Sequence, residues 1–108
     1  MGDILGQFEL VTMLAVLQRG NNAYGGEIQE YLMENASRDV TLGAIHRTLQ
    51  RLEEKGLVES RLADEEADRI RRPRRYFKIT GNGIRAVNES HGVMNRLFRG
   101  LNPVLEGR

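Results

Sequence analysis

Residues Thr41 to Thr80 constrain the fold more than any other stretch of this chain. They run TLGAIHRTLQRLEEKGLVESRLADEEADRIRRPRRYFKIT. Leu42, Ile45, Leu49 and Leu52 recur at spacings of three and four, which predicts a helix with those four on its buried face. Thr41 is placed to cap it by accepting a bond from a first-turn N–H. Lys55 suits the negative end of the helix dipole, and Gly56 is the expected stop. Leu57 to Leu62 then alternates as a strand, with Val58, Ser60 and Leu62 on one face. Ala63 to Pro73 is polar and reads as a loop. Arg74 to Ile79 alternates again, with Tyr76 and Lys78 on one face and Phe77 and Ile79 on the other. Thr80 is the expected cap of a final helix.

The flanking segments complete the pattern. Phe8 to Leu17 is apolar except for Glu9 and Thr12. It is too long for an ordinary strand and reads as a helix stopped at Gly20. A helix apolar on nearly every side needs cover on nearly every side, which points to a partner subunit. Asn22 is a candidate cap for a second helix from Tyr24 to Asn35, with Ile28, Tyr31 and Leu32 at helical spacing. The last helix carries Ile84, Val87, His91, Met94, Phe98, Leu101 and Leu105 in a seven-residue rhythm, the seam of a helix lying along another helix. Pro103 is expected to end it near Leu101.

The order is helix, helix, helix, strand, loop, strand, helix. The fold class is therefore mainly α with a small β-hairpin. The expected architecture is a winged helix-turn-helix DNA-binding domain over residues 1–80 and a C-terminal dimerisation helix over residues 81–108. A chain of 108 residues supports one such domain with an added element.

Charge distribution points to the same surface. The net charge is only +1, yet six Arg or Lys and no acid lie between Arg69 and Lys78. Binding to nucleic acid depends on such a local patch rather than on the total. A helix fits the major groove, where Arg pairs bidentately with guanine and Gln with adenine. Arg47 and Gln50 are the readers on the predicted third helix, and His46 and Arg51 can reach bases or phosphates. Thr41 and the free N–H groups beside it suit a phosphate. The plain alternative is a solvated polar face. The wing arginines Arg69, Arg71, Arg72, Arg74 and Arg75 favour the DNA reading, because a guanidinium donates bidentately to phosphate and stays charged. Their alternative is pairing with Asp64, Glu65, Glu66 and Asp68 in the same loop. The Tyr24 hydroxyl can meet a phosphate or pack. Tyr76 reads as packing.

Enzyme chemistry finds no support. There is no cysteine, no phosphate-binding glycine loop and no serine beside a plausible base. His46 and His91 fall on different helices without companion ligands, so neither a metal nor a cofactor is expected. His91 reads as an interface residue of the seam. No stretch looks like a secretory signal or nears the ~20 apolar residues that span a bilayer. A cytoplasmic protein with no membrane partner is expected.

Four blocks closely resemble the PadR family of bacterial transcriptional regulators. They are LGQFEL (Leu5 to Leu10), NAYGGEI (Asn22 to Ile28), TLGAIHRTLQRLEEKGLVES (Thr41 to Ser60) and RRYFKIT (Arg74 to Thr80), in family order and at family spacing. The resemblance implies a homodimeric repressor that binds a near-palindromic site on double-stranded DNA. It maps Thr41, Gly43, Arg47, Gln50 and Arg51 as helix contacts and Arg72 and Arg74 as wing contacts to DNA, to which the reading of the residues themselves adds Tyr24 and His46. It implies that the subunits join through the first and last helices, where the apolar pattern offers Phe8, Val11, Leu14, Ile84, Val87, His91, Met94, Phe98 and Leu101 as interface residues. Family members often carry tyrosine and proline where this chain has His46 and Arg47. This chain looks like a short-tailed member. Some relatives bind flat aromatic compounds between subunits, in one case between tryptophans. This chain has no tryptophan, which leaves a small aromatic effector at the interface as an unproven partner. The rival readings are a winged helix used as a protein-interaction module and a small-ligand sensor.

Overall fold

The computed structural model describes residues 5–63 and 73–107. Helix α1 spans Gln7–Gln18, strand β1 Ala23–Tyr24, helix α2 Gly25–Ala36 and helix α3 Leu42–Glu54. Strands β2 (Val58–Ala63) and β3 (Arg74–Ile79) form the hairpin. Helix α4 spans Gly81–Phe98, and a short helix α5 spans Asn102–Leu105. The chain is mostly helical with a small three-stranded antiparallel sheet in the order β1-β3-β2. The loop arginines Arg69, Arg71 and Arg72 and the acidic run Asp64 to Asp68 lie outside the described residues.

Helix ends follow local chemistry. The Glu9 carboxylate accepts the Gly6 N–H at the start of α1. At its far end the Gly20 N–H bonds to the Leu17 carbonyl and the Asn21 N–H to that of Val16, with Gly20 at φ +79°. That is the left-handed glycine stop the sequence indicates. Helix α3 ends the same way. Gly56 sits at φ +76°, and the Leu57 N–H returns to the Leu52 carbonyl at 3.0 Å. Thr41 Oγ1 accepts from the Ala44 N–H, and Thr80 Oγ1 from the Gly83 N–H.

The core is built by Met13, Val16, Ile28, Leu32, Ile45, Leu49, Leu52, Val58, Phe77 and Ile79. Three helices thus close over one face of the sheet. Phe77 and Ile79 point inward as their alternation requires. The hairpin outruns this core, and Leu62 is 58% exposed although it shares the face of Val58.

Four details differ from the sequence reading. Leu42 is 43% exposed; it opens α3 ahead of the turn that meets the core, and Thr48 is buried instead. Tyr24, not Asn22, caps α2, and its N–H donates to the Glu27 carboxylate at 3.2 Å. Ala23 and Tyr24 also pair with Phe77 and Tyr76 as a third strand. Helix α4 stops at Phe98 rather than near Leu101, because Arg99 leaves helical geometry at ψ 127° and Gly100 follows at φ +79°. Pro103 opens α5 instead of ending α4, a first-turn position where its missing N–H costs nothing. Leu101 and Leu105 therefore lie beyond the break and do not extend the α4 stripe.

The first half of α4 is seated on the core through Gly83, Ala86 and Val87. Its second half, the turn after it and α5 carry exposed Met94, Leu97, Phe98, Leu101, Val104 and Leu105. Among the described residues no helix is long and apolar enough to cross a membrane.

Candidate nucleic-acid interface

Helix α3 is strongly two-sided. Ile45, Thr48, Leu49 and Leu52 are buried, which leaves Gly43, His46, Arg47 and Gln50 exposed at helical spacing along its outer side. Thr41 is exposed at the head of this face, with its oxygen engaged as the cap. The Arg47 guanidinium lies back over Gly43, where a built Cβ would come within 3.3 Å of Nη1. The expected face therefore holds together over its first two turns. Arg51 departs from it. Its Nη2 donates to Thr48 Oγ1 at 3.3 Å, and its charge acts on Glu9 of α1.

The His46 ring occupies the gap between α3 and the start of α2. A Cβ built on Gly25 would sit 2.7 Å from His46 Nε2. Glycine there admits the imidazole, which also tilts against Phe77 with centroids 6.0 Å apart. The first-turn glycine of α2, unfavourable on helix propensity alone, thus has a packing reason.

Successive strand residues point to opposite faces, and this separates the two described wing arginines. Arg74 shares a face with Tyr76, Arg61 and Tyr24, away from α3. There its guanidinium lies 4.4 Å from the Tyr24 ring centroid. Tyr24 meets Tyr76 edge-on at 5.6 Å, and Arg61 covers Tyr76 at 5.1 Å while donating to Asn22 Oδ1. The result is a ladder of alternating rings and cations. Tyr24 and Tyr76 pack as its rungs, which gives the Tyr76 reading its geometry.

Arg75 faces the other way. With His46, Gln50, Glu53 and Phe77 it lines a hollow of about 280 Å³ between α3 and β3. Its Nη1 donates to Ser60 Oγ at 3.0 Å, and the Ser60 hydroxyl donates to Glu53 Oε2 at 2.9 Å. So Arg75, not Arg74, is the wing arginine gathered with His46 and Gln50. The sequence counts Arg75 in the wing cluster, but only Arg72 and Arg74 are expected there as wing contacts. The signal was present, since Arg75 has the same strand parity as the inward Phe77. Arg72 lies outside the described residues.

The expected interface residues fall in two places. On α1, Phe8 and Val11 are partly buried and Leu14 is 39% exposed. On α4, Ile84, His91, Met94 and Phe98 are exposed, and Val87 is half-buried. Among the described residues no cluster of three or more His, Cys, Asp or Glu is arranged to hold a metal ion.

Comparison with known proteins fits this architecture. A transcriptional regulator homologue protein from Pyrococcus horikoshii is 29% identical, with a TM-score of 0.70 over 92% of this chain and 88% of that one. A PadR-like transcription factor from Bacteroides fragilis is 27% identical, with a TM-score of 0.75 over 92% and 90%. A PadR family regulator from Clostridium difficile is 20% identical and shows the fold alone, with a TM-score of 0.76 over 93% and 99%. No curated protein sequence matches. The profile of the transcriptional regulator PadR-like family matches residues 13–89, from the core of α1 through the seated half of α4. That span contains the exposed face of α3, the hairpin and the glycine-lined seat of His46, and the chain belongs to this PadR-like family of transcription regulators rather than to a family of enzymes.

Proposed function

We propose that this protein is a homodimeric repressor that reads a near-palindromic operator on double-stranded DNA. Helix α3 enters the major groove, and the wing lies on the backbone or in the minor groove. Arg47 and Gln50 read base edges, Arg47 at guanine and Gln50 at adenine. Thr41, Gly43 and His46 approach the strand beside the helix, Arg51 adds positive charge at its flank, and Arg72, Arg74 and Tyr24 reach the duplex from the wing side. Two subunits joined through α1 and α4 set their α3 helices about 34 Å apart, one turn of the duplex.

The observation that carries this reading is the exposed row Gly43, His46, Arg47 and Gln50 on a helix whose opposite side is fully buried. His46 packs against Gly25 and Phe77, but Arg47 and Gln50 stand exposed beside it, and hydrogen-bonding side chains at that spacing match the floor of a major groove.

Selection from a random duplex pool, followed by sequencing of the retained fragments, tests the proposal. Retained fragments should share an inverted repeat with half-site centres about 10 base pairs apart. The Arg47→Ala variant should lose about 1–3 kcal/mol on the selected site and far less on random DNA. A pool that stays random, or no retention even at low salt, overturns the reading.

A further inference from the structure

A cavity of about 400 Å³ opens between the residues ahead of α1, the end of α3 and the first half of α4, a size within the range of small-molecule sites. Its floor is apolar, made by buried Leu5 and half-buried Leu57 and Ala86. Its rim is polar, with Lys55, Arg85, Glu89 and the Asn82 amide exposed. By helical spacing, Asn82, Arg85 and Glu89 share the side of α4 opposite Ile84, His91, Met94 and Phe98. The cavity is therefore separate from the proposed subunit seam, and none of the residues proposed to touch DNA lines it.

We propose that this cavity binds a small α-amino acid with an apolar side chain. Arg85, assisted by Lys55, takes the ligand carboxylate. Glu89 takes its ammonium group, and Leu5, Leu57 and Ala86 cover its side chain.

The rim suits a ligand with two poles better than a simple anion. Arg85 and Glu89 stand one helical turn apart, yet among the described residues they form no ion pair. A pair with the cation on the N-terminal side is the weaker orientation on a helix. Arg85 instead donates to Asn82 Oδ1, and a guanidinium with five N–H donors has others left for a carboxylate. A zwitterion satisfies Arg85 and Glu89 together, whereas a carboxylate alone is repelled by Glu89. Lys55 already bonds to Glu9 Oε2 at 3.1 Å, so its charge is shared and its contribution to the ligand is the smaller one.

The floor is formed before any ligand arrives. The Leu57 carbonyl accepts the Thr80 N–H at 3.0 Å, and Gly83 lets α4 close directly onto that carbonyl. Leu57 and the α4 wall are thus one packed piece, which lowers the cost of ordering on binding. The ion pairs are exposed, so each is worth little in water, and the affinity is modest.

The test is two-dimensional NMR of the full, isotopically labelled chain titrated with L-leucine. The amide signals of Leu5, Leu57 and Ala86 should shift with a dissociation constant of about 1 mM. Isocaproate and isoamylamine, which are leucine without its ammonium and without its carboxylate, should each bind about five-fold more weakly. Arg85→Gln and Glu89→Gln should weaken leucine about five-fold. Glu9→Gln, which releases Lys55, should tighten it about two-fold. The same spectra report the fold of each variant, so a lost site is distinguished from a lost fold. No shift at about 20 mM leucine, or shifts confined to residues away from the cavity, overturns the site. Isocaproate binding as tightly as leucine overturns the amino-acid class. Wild-type affinity in Arg85→Gln or Glu89→Gln overturns the roles assigned to them. Failure to bind a duplex would sink the regulator reading and leave this site standing.

Discussion

The side chain of Asn21 takes the place of a strand beside Ile79. Its Oδ1 accepts the Ile79 N–H at 2.7 Å, and its Nδ2 donates to the Ile79 carbonyl at 3.3 Å. Asn21 also occupies a left-handed backbone conformation, with φ 55°. One residue therefore ends α1, turns the chain into β1 and satisfies the last backbone groups of β3. Asn21→Ala should lose both bonds and add left-handed strain, for a cost of about 2–3 kcal/mol in chemical unfolding. Asn21→Gly keeps the backbone geometry and should cost about 1 kcal/mol less. Equal losses for the two variants would show that the backbone term is negligible.

Gly83 is where α4 meets the rest of the fold. A Cβ built there would sit 2.2 Å from the Leu57 carbonyl oxygen and 2.5 Å from Ile79 Cγ2. The first is backbone in the turn between α3 and the hairpin, and it cannot swing aside as a side-chain tip does. Gly83→Ala should therefore destabilise the protein by about 3 kcal/mol, although alanine favours helix by about 1 kcal/mol. Gly81→Ala is the control, since nothing lies within 4 Å of its built Cβ. It should be neutral or stabilising by thermal melting. A Gly83→Ala protein that melts like Gly81→Ala would mean that α4 is not held in this seat.

Glu9 makes part of the stability depend on pH. Burial by itself raises its carboxyl pKa, but the Gly6 N–H, the Lys55 ammonium at 3.1 Å and the charge of Arg51 outweigh burial and hold it below the usual carboxylate value. A depressed folded-state pKa contributes stability that is complete above the unfolded value. It is lost as pH falls through the folded one. Lys55 is nearly half exposed, so the contribution is screened and should be under about 1 kcal/mol. Denaturant unfolding at pH 7 and pH 3 should show wild type losing more stability than Glu9→Gln. Identical losses would mean that Glu9 has the same pKa folded and unfolded.

Much of this fold is written in local signals. The period of α3, the glycine stops at Gly20 and Gly56, the threonine caps and the alternation of β3 each depend on a few neighbouring residues. Those elements appear where the sequence puts them. Strand β1 was illegible because two residues carry no period, and Ala23–Tyr24 is a strand only through pairing with distant β3. The end of α4 was misread for a different reason. Leu101 and Leu105 happen to continue the spacing of the stripe, so the rhythm ran on through Gly100, where the backbone turns left-handed. The site was legible in its residue types rather than its directions. An arginine cluster reads as one patch in sequence, whereas strand parity sends Arg74 to the tyrosine ladder and Arg75 to the α3 notch.

The exposed stripe of α4 carries the last prediction. Met94 and Phe98 lie one turn apart on a helix whose inner side is seated by Gly83, Ala86 and Val87. Phe98 is 53% exposed and its neighbour Leu97 64%. On α1, Leu14 is exposed beside partly buried Phe8 and Val11. Large side chains left in water on two helices of one small fold gain most by burial against a second copy. Met94→Glu and Phe98→Glu would place an unpaired carboxylate in that contact, and should weaken self-association by about a hundred-fold or more. Neither side chain belongs to the core, so circular dichroism and the monomer fold should be preserved. Light scattering coupled to size exclusion gives the answer directly. Wild type should run as a dimer and each variant as a folded monomer with weaker DNA binding, because two half-sites can no longer be engaged together. A wild type that is monomeric at about 10 µM, near or above the dissociation constants of weak protein–protein contacts, would remove α4 from the assembly.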